Sequence, residues 1–397
     1  MVFRCLVQPV RVNELVRVVE QLPPISASDV QSALAAISWD FEDADASRQS
    51  IHSFHSYPAR FIPEIPRSLI QELPPPPGTV VLDPFCGCGT TLVEAQSEGY
   101  PSVGVDLNPI GCLVAKIKTT PLPDNFADAV QFCITRALAM PEPVVPEIPH
   151  VQHWFTSEVA MTLTRLRESI RTVSDASVRQ ALEGVFSSII VRVSNQDSDT
   201  RYAAVEKNVS ADRVYEAFRQ AGRSLASLSL SDELWERPPT TIINKSIFDV
   251  TPKELPTEVG LVVTSPPYPN AYEYWLYHKY RMWWLGFDPN VVKSGEIGAR
   301  AHFFSGRRKL ENFEEQMSKV FALLRSVMRK GAYCCFVIGD SKIHGEIVDN
   351  SAHLESAASA SGFQLVFKRD REINANRKSF NLHHARIKRE HVLVWRS

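Results

Sequence analysis

The sequence predicts an α/β fold, a doubly wound and mostly parallel sheet with a helical insertion, and three observations carry that expectation. Short apolar runs alternate with amphipathic stretches near both ends of the chain, as buried parallel strands and their covering helices require. A glycine-bearing turn joins the first such run to its helix. Between residues 120 and 235 the alternation stops and helical periodicity takes over.

Residues 1–50 hold helical stretches at 12–22 and 28–37, parted by a Pro-Pro break, and then an acidic loop at 40–45. They read as an N-terminal helical extension. Segment 52–67 is dense in aromatics and prolines, so it should start irregular, with a helix from about 63 to 73 stopped by the prolines before Gly78. A strand–turn–helix–strand unit follows: strand 79–83, turn 84–89, helix 90–98 and strand 102–106. Helices at 126–140, 157–173, 177–191 and 210–228 fill the insertion. Strand-like runs resume at 241–244, 261–264, 332–338, 363–367 and 391–395, with helices at 313–330 and 351–361. The expected division is therefore an extension (1–50), a main domain (51–119 with 236–397) and an insertion (120–235).

Composition narrows the class. The chain has 397 residues, 44% hydrophobic and 22% charged, as in ordinary soluble proteins. A net charge of −2 advertises no global positive field, so any basic surface must be local. No apolar run approaches the roughly 18 residues of a membrane span. The first residues lack a secretory pattern. The seven cysteines are scattered apart from Cys86/Cys88 and Cys334/Cys335. That argues against a disulfide framework or a zinc site and for a reducing cytoplasm.

Asp83-Pro-Phe-Cys-Gly-Cys-Gly89 lies where a strand ends and a helix begins. Gly87 and Gly89 let the backbone turn tightly and approach a ligand. Asp106 ends the next strand, where a carboxylate can accept from both hydroxyls of a ribose. NAD would want a third glycine, but Thr90-Thr91-Leu92 follows, so a nucleoside cofactor without a pyrophosphate suits the loop better. S-adenosyl-L-methionine is such a cofactor. Downstream, Thr264-Ser-Pro-Pro-Tyr268 follows the apolar run 260–263, at the strand end where this fold class places its ligands. Two prolines fix φ and remove two N–H groups, and their carbonyls remain as fixed acceptors.

Asp83-Pro-Phe-x-Gly-x-Gly with the Ser-Pro-Pro-Tyr loop resembles the amino-group DNA methyltransferases, the cytosine-N4 and adenine-N6 enzymes, and most of all the site-specific cytosine-N4 enzymes. His55-Ser-Tyr-Pro-Ala-Arg-Phe61 is similar to that family's motif X. The resemblance implies a Rossmann-like methyltransferase sheet using S-adenosyl-L-methionine and releasing S-adenosyl-L-homocysteine. It implies cofactor contacts from Tyr57, Arg60, Phe61, Asp83, Phe85, Gly87, Gly89 and Thr90. Asp106 would bind the ribose, with Leu107 or Asn108 beside the adenine; Phe248 and Asp249 are further candidates, Asp249 equally a turn residue. In the loop Ser265-Pro266-Pro267-Tyr268, the Ser265 side chain and the Pro266 carbonyl would engage the two N–H groups of an exocyclic amine. Tyr268 would stack on a base swung out of the duplex. Serine at position 265 favours cytosine N4. Adenine N6, an RNA base, or a non-catalytic nucleic-acid-binding module stay open.

Double-stranded DNA is the implied partner, and a separately acting cognate restriction endonuclease would belong to such a setting. Tyr272 and Glu273 lie just past the loop. The helix-spaced face Tyr274, Tyr277, Arg281 and Trp284 reads mostly as core. Arg300, Arg307 and Arg308 in one basic stretch are candidate phosphate contacts. So are Arg369, Arg371, Arg377, Lys378, Arg386, Lys388 and Arg389 in another. The polar segment 194–202 is either a base-reading element or an interhelical loop.

Overall fold

The computed structural model describes residues 27–41, 50–199, 201–230, 237–256, 258–270, 273–298, 310–343, 345–372 and 389–397. The expected helix at 12–22 and most of the acidic loop lie outside them. Strands run in chain order as β1 (Val80–Asp83), β2 (Ser102–Asp106), β3 (Gln196–Ser198), β4 (Arg201–Ala204), β5 (Thr240–Asn244) and β6 (Val259–Thr264). Then come β7 (Met328–Gly339), β8 (Ser341–Ile343), β9 (Glu346–Val348), β10 (Gln364–Glu372) and β11 (Arg389–Arg396). Seven of them form one sheet in the order β10-β11-β7-β6-β1-β2-β5. β5, β2, β1, β6 and β7 pair in parallel, and β11 runs antiparallel to both of its neighbours. This is the doubly wound, mostly parallel α/β sheet that the alternation predicts.

Both faces of the sheet are covered, which is why β6 reads as an unbroken apolar run and is buried along its whole length. Val81, Leu261, Val263 and Val337 pack on one side with the helices Ala27–Ala36 and Glu64–Glu72. Leu82, Val262 and Phe336 pack on the other with Leu310–Val327 and Asn350–Ala360. From β1 the chain winds outward through β2 to β5, then returns to the far side of β1 as β6. The winding therefore reverses between β1 and β6, and a crevice belongs at their carboxyl ends, Asp83 and Thr264.

Helices Phe126–Ala139, Ser157–Arg171, Ala176–Ile189 and Ala211–Leu230 pack around Phe126, Leu163, Phe186 and Phe218, in a core that also takes in Phe54, Val93, Leu113 and Ile117. The helix Tyr274–Leu285 joins this core: Trp284 lies 5.6 Å from Phe155 and 6.3 Å from Phe186, ring to ring. Arg281, 1% exposed, ties the helix to the insertion. Its Nε donates to the Ser187 carbonyl at 3.1 Å, and its Nη2 pairs with Asp199. The core reading of Arg281 and Trp284 thus holds, although their core is the insertion's and Tyr274 and Tyr277 are only half buried.

Segment 194–202 is neither a bare loop nor wholly irregular. Its residues enter the hairpin β3–β4, and Tyr202 packs on Trp154 at 4.6 Å. The short hairpin β8–β9 and the helix Pro289–Gly295 had no apolar periodicity to announce them. β7 begins four residues before the apolar run at 332, because Met328 already pairs with Val259 across an irregular register. No helix among the described residues is long and apolar enough to cross a membrane.

Truncating a buried charged partner leaves the other stranded, at a cost of about 3–5 kcal/mol. Arg281→Ala should lower unfolding stability by an amount of that order, read as a fall in the denaturant midpoint.

Candidate active site

The turn between β1 and the helix Thr90–Ser97 is held from outside by one carboxylate. Asp106 accepts the Gly87 N–H at 2.8 Å through Oδ2 and the Asn108 N–H at 2.7 Å through Oδ1. Gly89 takes φ 78°, and a Cβ there would lie 2.7 Å from the Ala115 Cβ, so only glycine fits. The helix that follows has no side-chain cap, so its first N–H groups stay open to an anion. Thr90 Oγ1 and Asn108 Nδ2 are buried with no hydrogen-bond partner among the described residues. Asn108 Oδ1 meanwhile caps the next helix by accepting from the Ile110 N–H at 3.0 Å. Buried polar atoms are costly when unpaired. Two of them, an open helix terminus that donates and a carboxylate with spare lone pairs that accepts are hydrogen-bonding groups that a polar nucleoside cofactor would satisfy.

Tyr57 roofs this turn. A Cβ on Gly87 would touch its ring at 3.4 Å. The ring stacks on His278 at 4.8 Å and on Tyr274 at 5.9 Å, so the segment 55–61 and the helix Tyr274–Leu285 share one wall. Arg60 and Phe61 sit less directly. Arg60 donates to the His52 carbonyl, and Phe61 packs against the apolar cluster that contains Val81 and Val263. Leu107 meets Gly295, where a Cβ would lie 2.8 Å from its side chain, and its carbonyl accepts from Asn244 at 3.0 Å. Phe248 and Asp249 lie exposed in a 3-10 turn after β5.

The second loop is joined to the first. Thr264 Oγ1 donates to Asp83 Oδ1 at 2.6 Å, inside the protein, and Asp83 also accepts the Phe85 N–H at 3.0 Å. Burial pushes the Asp83 carboxyl up to about 6 against these hydrogen bonds, and burial pushes Asp106 up to about 6 as well. Beyond Thr264, Ser265 is half buried and its Oγ lies 3.2 Å from the Tyr268 hydroxyl. Tyr268 and Phe85 both pack against the large apolar cluster that contains Leu82 and Val262, so both loops rest on one core. Asn270 fastens the loop's far end, with φ 58°, its N–H on the Gly298 carbonyl at 2.8 Å and its Nδ2 on the Lys342 carbonyl at 2.6 Å.

Tyr57, Phe85, Gly87, Gly89, Thr90, Asp106 and the Ser265–Tyr268 loop are thus drawn to one edge of the sheet. Tyr272, Arg300, Arg307, Arg308, Arg377 and Lys378 lie outside the described residues. The expectation for Arg371 is corrected. It is 3% exposed, donates to the Trp39 carbonyl at 2.9 Å and pairs with Glu390 at 2.5 Å, so it faces the interior and not a phosphate. Lys368 and Arg389 pair with Glu355 and Asp340. Two acids escaped sequence reasoning. Glu390 sits among basic residues with no motif, and Glu296 lies in an unremarkable turn. Glu296 accepts the Trp275 N–H at 2.8 Å, and burial, with Glu273 and Asp106 nearby, pushes it up to about 8.

Residues 23–116 match the family model N6_N4_Mtase, described as DNA methylase. Type II methyltransferase M.MvaI of Kocuria varians is 27% identical over 244 residues, 56% of this chain and 54% of that protein. Type II methyltransferase M.MjaII of Methanocaldococcus jannaschii is 32% identical over 82 residues, 21% of this chain and 15% of that one. Type II methyltransferase M.BsoBI of Geobacillus stearothermophilus is 20% identical over 308 residues, 69% of this chain and 60% of that one. The chain therefore spans little more than half the length of even the relatives it matches most extensively. The fold is a doubly wound sheet that brings the glycine turn after β1 and the proline-stiffened loop after β6 side by side. The family model and these relatives show that part of this chain is similar to DNA methylases of the N6 and N4 kind.

Glu296 makes stability depend on pH. Its ordinary value is 4.5 and its folded value about 8. Between them the folded chain keeps a proton that the unfolded chain releases, so stability falls as pH rises through that window. Glu296→Gln retains the acceptor for Trp275 without the charge. Its melting temperature should exceed wild type by several degrees at pH 8, on the order expected for a few kcal/mol. The gap should close toward pH 4.5; a gap that is constant with pH would contradict the assignment.

Proposed function

We propose that this chain is an S-adenosyl-L-methionine-dependent DNA methyltransferase that modifies the exocyclic N4 of cytosine in duplex DNA. The observation that carries this reading is the Thr264–Asp83 hydrogen bond, which fixes an acceptor loop against a nucleoside cradle at the point where the sheet's winding reverses. S-adenosyl-L-methionine bound there supplies a methyl group on a positively charged sulfur. Asp106 would hold its ribose, the Gly87–Thr90 turn its methionine end, and Leu107 and Asn108 would flank its adenine.

An exocyclic amine is a poor nucleophile because its lone pair is delocalised into the ring. Ser265 Oγ and the Pro266 carbonyl, both acceptors at the mouth of the loop, would engage its two N–H groups and turn the lone pair toward the methyl group. Pro266 and Pro267 keep those acceptors from moving as the reaction proceeds. Tyr268 would lie against a base taken out of the stack, which an enzyme must do to reach the amine. Serine at 265 in place of an acid favours cytosine over adenine.

The insertion 120–235 is the candidate target-recognition region, with β3–β4 and Lys279 at its surface; Lys279 lies 4.1 Å from the Tyr202 ring centre. The relatives are named Type II methyltransferases, and in our reading the activity belongs to restriction and modification, beside a separately acting endonuclease and in the cytoplasm. Incubating the chain with labelled S-adenosyl-L-methionine and duplex DNA, then identifying the modified nucleoside by mass spectrometry, tests this directly. N4-methylcytosine is the expected product. N6-methyladenine would overturn the choice of base, and label on no nucleic acid would overturn the activity.

Ser265→Ala should cut turnover about 100-fold, as loss of one preorganised hydrogen-bonding group does. The dissociation constant for S-adenosyl-L-methionine, measured by calorimetry, should change less than about threefold.

A further inference from the structure

Glu390 of β11 stands behind the loop in a chain of hydrogen bonds. Its Oε2 accepts from Arg371 Nη1 at 2.5 Å, and its Oε1 accepts from the Tyr268 hydroxyl at 3.1 Å. The Tyr268 oxygen in turn lies 3.2 Å from Ser265 Oγ. Each link constrains the next. An ion-paired carboxylate has no hydrogen to give, so Tyr268 must donate to it. A phenol that has spent its one hydrogen can only accept from Ser265. Ser265 has then spent its own hydrogen inward and presents lone pairs alone to whatever enters the loop. Burial and the Glu390 charge hold the Tyr268 phenol well above its usual range, so it keeps the proton this chain requires.

We infer that Glu390 is a positioning residue that sets the direction of hydrogen bonding through Tyr268 and Ser265, so that the loop accepts an amino group and rejects a carbonyl oxygen. The inference rests on the reading of the loop under Proposed function and adds to it the source of its selectivity. A base with N–H groups at the reacting position meets an acceptor. A base with a carbonyl there, such as thymine, meets lone pair against lone pair with no hydrogen between them. Arg371 holds the other end of the chain in place, since it is itself buried and anchored on the Trp39 carbonyl.

The substitution Glu390→Gln separates direction from shape. Arg371 only donates, so the glutamine must turn its carbonyl toward Arg371 and its amide N–H group toward Tyr268. Tyr268 then accepts from Gln and donates to Ser265, which turns its hydrogen outward. The nearly isosteric variant should therefore be worse than the truncated one. Turnover on duplex DNA should fall about 100-fold in Glu390→Gln and less in Glu390→Ala, with cofactor dissociation constants within about threefold of wild type. In Glu390→Gln with Tyr268→Phe the reversed chain is cut and Ser265 can rotate again, so turnover should recover about 10-fold over Glu390→Gln alone.

A role in packing alone gives the opposite order, with Ala worse than Gln and no recovery in the double variant, and either result overturns the inference. Should Glu390→Ala fail to fold, as a melting curve would show, the Glu390→Gln single and double variants decide between the two outcomes. Wild-type protein that methylates no nucleic acid would instead count against the reading under Proposed function, which keeps the two failures apart.

Discussion

The hydroxyl of Thr264 reaches the carboxylate of Asp83 at 2.6 Å, and from that contact the rest of the site takes its position. Asp83 ends β1 and Thr264 ends β6, the two strands between which the sheet changes its direction of winding. β1 leads into Asp83, and directly after it the chain bends around Gly87 and Gly89. Directly after Thr264 comes the proline-stiffened loop. A hydrogen bond made inside the protein resists shear between the two strands far better than one made in water. The distance between cradle and acceptor loop is thereby set by the core and not by the flexibility of either loop.

Burial sets the electrostatics of the same edge. Asp83 and Asp106 stand near 6 and Glu296 near 8, each raised first by burial. Asp106 is also among the charges that raise Glu296, so the acids feel one another. The protein spends stability to keep carboxylates there, as functional pockets commonly do. Asp106 spends part of its capacity on the Gly87 and Asn108 N–H groups, which shapes the turn before any ligand arrives.

Much of this was legible in the sequence because parallel strands buried on both faces carry unmistakable apolar runs. β1, β2 and β6 lie within a residue or two of where those runs place them. The glycines at 87 and 89 signalled a close backbone approach, and the prolines at 266 and 267 signalled a rigid turn. Glu390 and Arg371 were not legible. Their roles depend on an antiparallel pairing that brings residues distant in the chain beside Tyr268, and no local pattern records which charges will face inward. Arg371 looked like one more member of a basic surface stretch for that reason. The hairpin β3–β4 escaped because β3 is wholly polar and both strands are too short to alternate visibly.

The Arg281 clamp bears on how such a chain could exchange parts. Asp199 and the Ser187 carbonyl, both in the insertion, hold Arg281, and the Ser187 hydroxyl lies 3.0 Å from His55 Nε2, two residues from the ring that roofs the cradle. A segment grafted in to replace the insertion would have to bring a carboxylate, a carbonyl and a hydroxyl to those places. Otherwise the graft would arrive with a loosened Tyr57 over the Gly87 turn, so the insertion and that turn are tied to inherit together.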